Sequence, residues 1–143
     1  MSLAAITDLS RYPLTDPNFI KVCKETLGET GVLVLEGFML KSAVEQVRQE
    51  GAEHQDKAYF CKQEHNVYLT PSDPQYAEDH PRNRKVVSSK GCITDDQIPD
   101  NSPLRVLYNA DDFRQFLCQV LGEEVLHHYA DPLSSINLHY AKT

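Results

Sequence analysis

Tyr129-Ala130-Asp131-Pro132-Leu133-Ser134-Ser135-Ile136-Asn137-Leu138-His139-Tyr140 is the most informative stretch of the chain. Ala130-Asp131-Pro132 is a turn signal. In the run after it, Ile136, Leu138 and Tyr140 fall on one face of a strand and Ser135, Asn137 and His139 on the other. Val125-Leu126-His127-His128-Tyr129 reads as a strand before the turn, so the pattern predicts a hairpin. The second strand, Leu133 to Tyr140, stops three residues before Thr143, with nothing after it to pair on its far side. A lone hairpin needs further strands or a covering helix to be stable. The expectation is therefore the front part of a larger β architecture. An unpaired edge also invites association, which motivates an alternative: a non-catalytic α+β interaction domain that self-associates or recruits a partner by strand addition along this edge.

Outward from that stretch, helices alternate with short strands. Asp16 caps a first helix with Pro17 at its first position, and Phe19, Val22, Cys23 and Leu27 recur at helical spacing. Gly28 and Gly31 are the candidate stops. Val32-Leu33-Val34-Leu35 is a short apolar run, expected as a strand buried on both faces. A second helix is expected from about Lys41 to Glu50, with Ser42 and Glu45 as a capping box. His65–Thr70 and Lys85–Ser89 are candidate strands, and the Pro-rich stretch from about 71 to 103 reads as a long loop region. Phe113, Phe116, Leu117, Val120 and Leu121 mark a third helix, capped by Asp111 or Asp112 and ended by Gly122.

The chain has 143 residues, 41% hydrophobic and 24% charged, which predicts one globular domain over 1–143. A net charge of −7 speaks against a nucleic-acid surface, which concentrates positive charge. No apolar run reaches the 18 or so residues of a membrane span. Met1-Ser2-Leu3-Ala4-Ala5-Ile6 has no basic segment followed by a long apolar core, so no signal peptide is read. The expectation is a cytoplasmic protein, bound to neither nucleic acid nor membrane. Cys23, Cys61, Cys92 and Cys118 form no Cys-x-x-Cys pair and are expected as small buried hydrophobes.

Six histidines raise the question of a metal. His54-Gln55-Asp56 is the chain's one His-x-Asp, the local form of a two-His-one-carboxylate iron(II) site, with His127, His128 or His139 as the distal ligand. Its context is against it: the pair falls at the end of a helix, and no arginine follows Arg114 to clamp a carboxylate co-substrate. A metal protein using His54, Asp56 and His128 is the weakest of the readings. His127 and His128 are adjacent, so on a strand they face opposite ways. His80-Pro81-Arg82-Asn83-Arg84-Lys85 is a basic cluster expected as a solvated loop.

Several segments together resemble the N-terminal half of iron(II)/2-oxoglutarate-dependent dioxygenases of the phytanoyl-CoA-hydroxylase-like or biosynthetic type. They are Gly31-Val32-Leu33-Val34-Leu35-Glu36-Gly37-Phe38 with its following helix, His80-Pro81-Arg82, Ser102-Pro103-Leu104-Arg105, and Tyr129 to Tyr140. The resemblance implies helices packed on an incomplete double-stranded β-helix, or jelly roll. It implies an enzyme that uses iron(II) and 2-oxoglutarate to hydroxylate a small molecule or side chain. Asn137 and His139 would line the barrel lumen near the co-substrate, and Tyr140 would face the outer layer or the opposite wall. The family's iron-binding His-x-Asp, distal His and carboxylate-binding Arg have no counterparts in residues 1–143. The chain is accordingly expected to be truncated before the metal-binding motif and catalytically incomplete by itself.

Overall fold

The computed structural model describes residues 1–141 and combines helices with a small antiparallel sheet, an α+β arrangement. In chain order the elements are α1 (Pro17–Thr30), α2 (Lys41–Glu53), β1 (Tyr59–His65), β2 (Val86–Ile93), α3 (Pro103–Asn109), α4 (Asp111–Leu121) and β3 (Leu138–Tyr140). The sheet order is β1-β2-β3, both pairings antiparallel.

Helix α1 starts as its sequence predicts. The Asp16 carboxylate accepts the Phe19 N–H at 2.8 Å, Pro17 occupies the first turn, and Gly31 at φ 72° closes the helix. Gly28 stays inside it. Gly122, at φ 78°, ends α4 in the same left-handed way. Asp111 and Asp112 lie in the first turn of α4 rather than capping it; Ala110 holds the cap position. There they still favour the positive end of the helix dipole. The expected capping box of α2 does not form: Leu40 is the cap residue, and Glu45 instead binds Arg48 and Gln49. Helix α3 escaped notice in the sequence although Ser102-Pro103 opens it like Asp16-Pro17, with Ser102 Oγ accepting the Leu104 N–H at 3.3 Å.

The side chains sort into two cores. Tyr12, Leu14, Ile20, Cys23, Phe38, Phe116 and Val120 form the first, between α1, α4 and the chain entering α2. Its rings interlock, Phe19 stacking on Phe116 at 5.8 Å and Phe38 on Phe113 at 5.7 Å between centroids. Burial pushes the Cys23 thiol pKa up, which makes it a packing group. The second core is smaller: Ile93, Ile98 and Ile136, joined by Leu104, Tyr108, Leu138 and Tyr140. Buried Glu50 joins α2 to α3 by accepting the Ser102 hydroxyl at 2.6 Å, and Arg105 clamps Asp95 at 2.6 Å beneath the sheet.

Four strand expectations need correction. Val32–Leu35 lies between α1 and α2 outside any sheet, with Val32 57% and Val34 75% exposed. Val125–Tyr129 is irregular, because the Tyr129 N–H is taken by the Tyr108 hydroxyl at 2.8 Å instead of a neighbouring strand. The predicted Leu133–Tyr140 strand shrinks to Leu138–Tyr140. Upstream, the Ser135 hydroxyl donates to the Tyr129 and Asp131 carbonyls and the Asp131 carboxylate accepts the Leu133 N–H, so local turns outcompete the ladder. The first hairpin strand comes earlier than His65–Thr70. It ends at His65, where the buried Asn66 amide captures the Tyr68 and Thr70 N–H groups and the Thr70 carbonyl.

The loop expected over about 71–103 is interrupted by β2, which runs Val86–Ile93 rather than stopping at Ser89. The connection from Asn66 to Lys85 is tied by Asn83, whose amide binds the Asp73 N–H and the Asp73, Tyr76 and Ala77 carbonyls. Arg82 of the basic cluster pairs with Asp73 at 3.0 Å and lies over the Tyr68 ring.

Candidate functional site

Strand β3 and the end of α2 bring most of the singled-out residues together. The antiparallel register sets Tyr59, Cys92 and His139 abreast on one sheet face, and Phe60, Gly91 and Tyr140 abreast on the other. The second face is the packed one. Tyr140 meets Phe60 edge-on at 5.1 Å, and its hydroxyl donates to the Gln55 carbonyl at 2.6 Å. Gly91 is required beneath these rings: a Cβ there would lie 2.6 Å from Tyr140 Cε1 and 3.1 Å from Phe60 Cε1. Leu138 approaches α2 at Gly51, where an added Cβ would lie 3.7 Å from Leu138 Cδ1.

His139 points away from α2 and is exposed. Half-buried Asn137 reaches the same side, its Oδ1 accepting a weak bond from the Cys92 thiol at 3.5 Å and its Nδ2 donating to the Ser134 carbonyl at 3.0 Å. Asn137, His139 and Cys92 thus form one polar face. Tyr140 is separated from it by the sheet backbone. Cys92 did not stand out in the sequence, because a lone cysteine in a polar strand carries no local signal.

Two grooves flank Tyr140. One, of about 380 Å³, runs between β3 and α2 and is lined by Val47, Arg48, Gly51, Ala52 and Leu138. The other, of about 530 Å³, is lined by Glu53, Asp56, Phe60 and Tyr140. The Arg48 guanidinium is committed to Glu45 through two bonds of 2.7 and 2.8 Å. That pairing holds the Glu45 carboxyl at a pKa of about 2, with a smaller pull from Gln49.

His54 and Asp56 do not converge. His54 donates from Nδ1 to the Glu50 carbonyl at 2.9 Å at the end of α2, while Asp56 sits exposed in the short turn Gln55–Lys57. His128 lies edge-on to the Tyr108 ring and bonds Arg114, and His80 stacks on Tyr76. Among the described residues no group of three or more His, Cys, Asp or Glu side chains is arranged to hold a metal ion. Among the described residues His54, Asp56 and His128 therefore do not form an iron(II) donor set. All four cysteines are free, Cys23 buried and the other three half-buried. No described helix is long and apolar enough to cross a membrane.

Comparison with known proteins finds no matching family model, no matching curated protein and no matching solved structure.

Proposed function

We propose that this chain is the N-terminal portion of an iron(II)/2-oxoglutarate-dependent dioxygenase acting on a small molecule or side chain. In this reading α1, α2 and α4 are outer helices, and β1–β3 are the first strands of an incomplete double-stranded β-helix. The polar face of Asn137 and His139 looks into the barrel, and Tyr140 anchors the outer layer. Iron and co-substrate are held chiefly by residues outside 1–141, so the chain alone is catalytically incomplete. Its four free thiols suit a reducing, cytoplasmic setting.

The observation that carries this reading is at β3. The stretch resembling the family's barrel-entry segment delivers its last residues as an edge strand, packed by Leu138 and Tyr140 on one face and polar on the other. The surface area supports it. The chain exposes 10051 Å², against about 7500 Å² for a compact chain of this mass, an excess of roughly 2600 Å².

The test is to express this chain joined to whatever its gene encodes after Thr143. The expected result is iron-dependent 2-oxoglutarate consumption by the joined protein and no stoichiometric binding of either by residues 1–143. Tight binding of both to the short chain, or a joined protein inert toward 2-oxoglutarate, overturns the proposal.

The free edge of β3 also favours a second reading, an interaction domain that pairs through this edge. Light scattering after size exclusion separates the two. Stable dimers that dissociate on Leu138→Pro support the interaction domain, and a monomer removes its self-associating form.

A further inference from the structure

The two borders of the sheet are unlike. Strand β3 has three residues, and from it the chain leaves the sheet. Strand β1 forms the opposite border, two strand spacings or about 10 Å away. Its seven residues keep an unbroken one-to-one register with β2, with neither the proline nor the bulge that commonly blunts an edge. Lys62 is the kind of charge that guards an edge, yet Glu64 follows it two places on, on the same face. Among the described residues neither makes an ion pair. The β2 residues opposite them, Ser89 and Val87, are uncharged, and Lys90, opposite Cys61, belongs to the other face. Glu64 shares a groove with Lys85 and Glu78, whose charges cancel. Glu53 and Asp56 line a groove with Phe60, on the far side of Lys62 from Glu64.

We infer that β1 pairs antiparallel with β1 of a second copy of this chain, the two-fold axis passing through Gln63. Such an axis stands normal to the sheet and keeps every residue on its own face, so it must fall on a residue and not between two. Centred on Lys62 it sets lysine against lysine, and centred on Glu64 glutamate against glutamate. Centred on Cys61 it leaves Glu64 opposite Ala58. Centred on Gln63 it sets Lys62 against the partner's Glu64 twice over and Cys61 against the partner's His65. Gln63 then meets its own copy, where each amide donates to and accepts from the other. The order of charges along β1 is thus its own complement when reversed, and that chooses a second copy over a foreign strand. The chain leaves from the far border, which sets its own continuation apart from this one. The paired stretch, residues 61–65, is short against a standard interface, so the dimer is weak, with a Kd of about 0.1 mM. The inference rests on register and charge, and stands whether or not the chain belongs to an oxygenase.

The test is sedimentation equilibrium on the full chain, at concentrations up to about 1 mM. Lys62 and Glu64 are exposed, so substitutions there leave the fold untouched. Lys62→Glu and Glu64→Lys each turn two opposite-charge pairs into like-charge pairs and should raise the Kd at least about tenfold. The double variant Lys62→Glu/Glu64→Lys restores opposite charges and should return the Kd to within about threefold of the original. Mixing the two single variants should give heterodimers tighter than either variant makes alone. A monomer throughout, a dimer indifferent to the single substitutions, or a double variant as weak as the singles overturns the inference; the second outcome would put the contact elsewhere, the β3 edge included.

Discussion

The helical half and the sheet half of this molecule bury their side chains to very different degrees. Around α1 and α4, Phe116 is 2% and Cys23 2% exposed, and five aromatic rings interlock. Across the β1–β2 hairpin, Tyr59 is 69% and Val87 61% exposed. The same kinds of residue are thus spent as core in one half and left as surface in the other. An exposed aromatic or valine contributes little to holding a fold, because burial of apolar area supplies the driving force. The helical half therefore supplies most of the stability, and the sheet half presents surface.

The largest expected effect tests the helical side. Phe116→Ala empties the centre of the first core and should cost about 3–5 kcal/mol, read by thermal or urea unfolding. A loss no larger than that of a surface substitution would erase the contrast. Next comes Gly91→Ala, which drives a methyl against the Tyr140 and Phe60 rings. It should cost about 1–3 kcal/mol and loosen β3 amides before those of α1 and α4. Asp16→Ala removes the cap of α1 and should cost about 1 kcal/mol by the same unfolding curves. Val87→Ser, on the open hairpin, should stay within about 0.5 kcal/mol, and a larger loss would mean that this face is covered.

The smallest effect concerns pH at the surface of α2. Arg48 holds the Glu45 carboxyl at about 2, down from 4.5. A lowered pKa means the contact is fully present above pH 4.5 and is lost as pH falls through about 2. A carbon-detected NMR titration of the Glu45 carboxyl reads this midpoint, and Arg48→Ala should return it toward the ordinary carboxylate range.

Sequence and structure agree best where a local signal and the packing demand the same thing. Asp16-Pro17, the Phe113–Leu121 stripe and Gly122 announce α1 and α4 because caps and a buried face coincide there. The alternation of Ile136, Leu138 and Tyr140 was equally legible, and these residues do join the second core. The β1–β2 hairpin was legible only in part, through Lys85–Ser89, which overlaps the start of β2. Lys62, Gln63 and Glu64 face Ser89, Ser88 and Val87, so two solvated faces erase the apolar period that marks a half-buried strand. Val32–Leu35 failed in the opposite direction: its residues ask for a sheet that residues 1–141 do not bring to it. At the candidate site, the alternation put Asn137 and His139 on one strand face and Tyr140 on the other, while a role for them came only from the resemblance. Their contacts with Cys92, Phe60 and Gln55 depend on pairing between distant segments, which no local signal encodes.

The most direct test of the division into a closed and an open half is amide hydrogen exchange on residues 1–143 in isolation. Amides in the middle of α1 and α4 should exchange only with global unfolding, and those of β1, β2 and β3 at least about a hundredfold faster through local opening. Equal protection in the strands and the two helices would contradict the account, since it would show that the sheet is already complete.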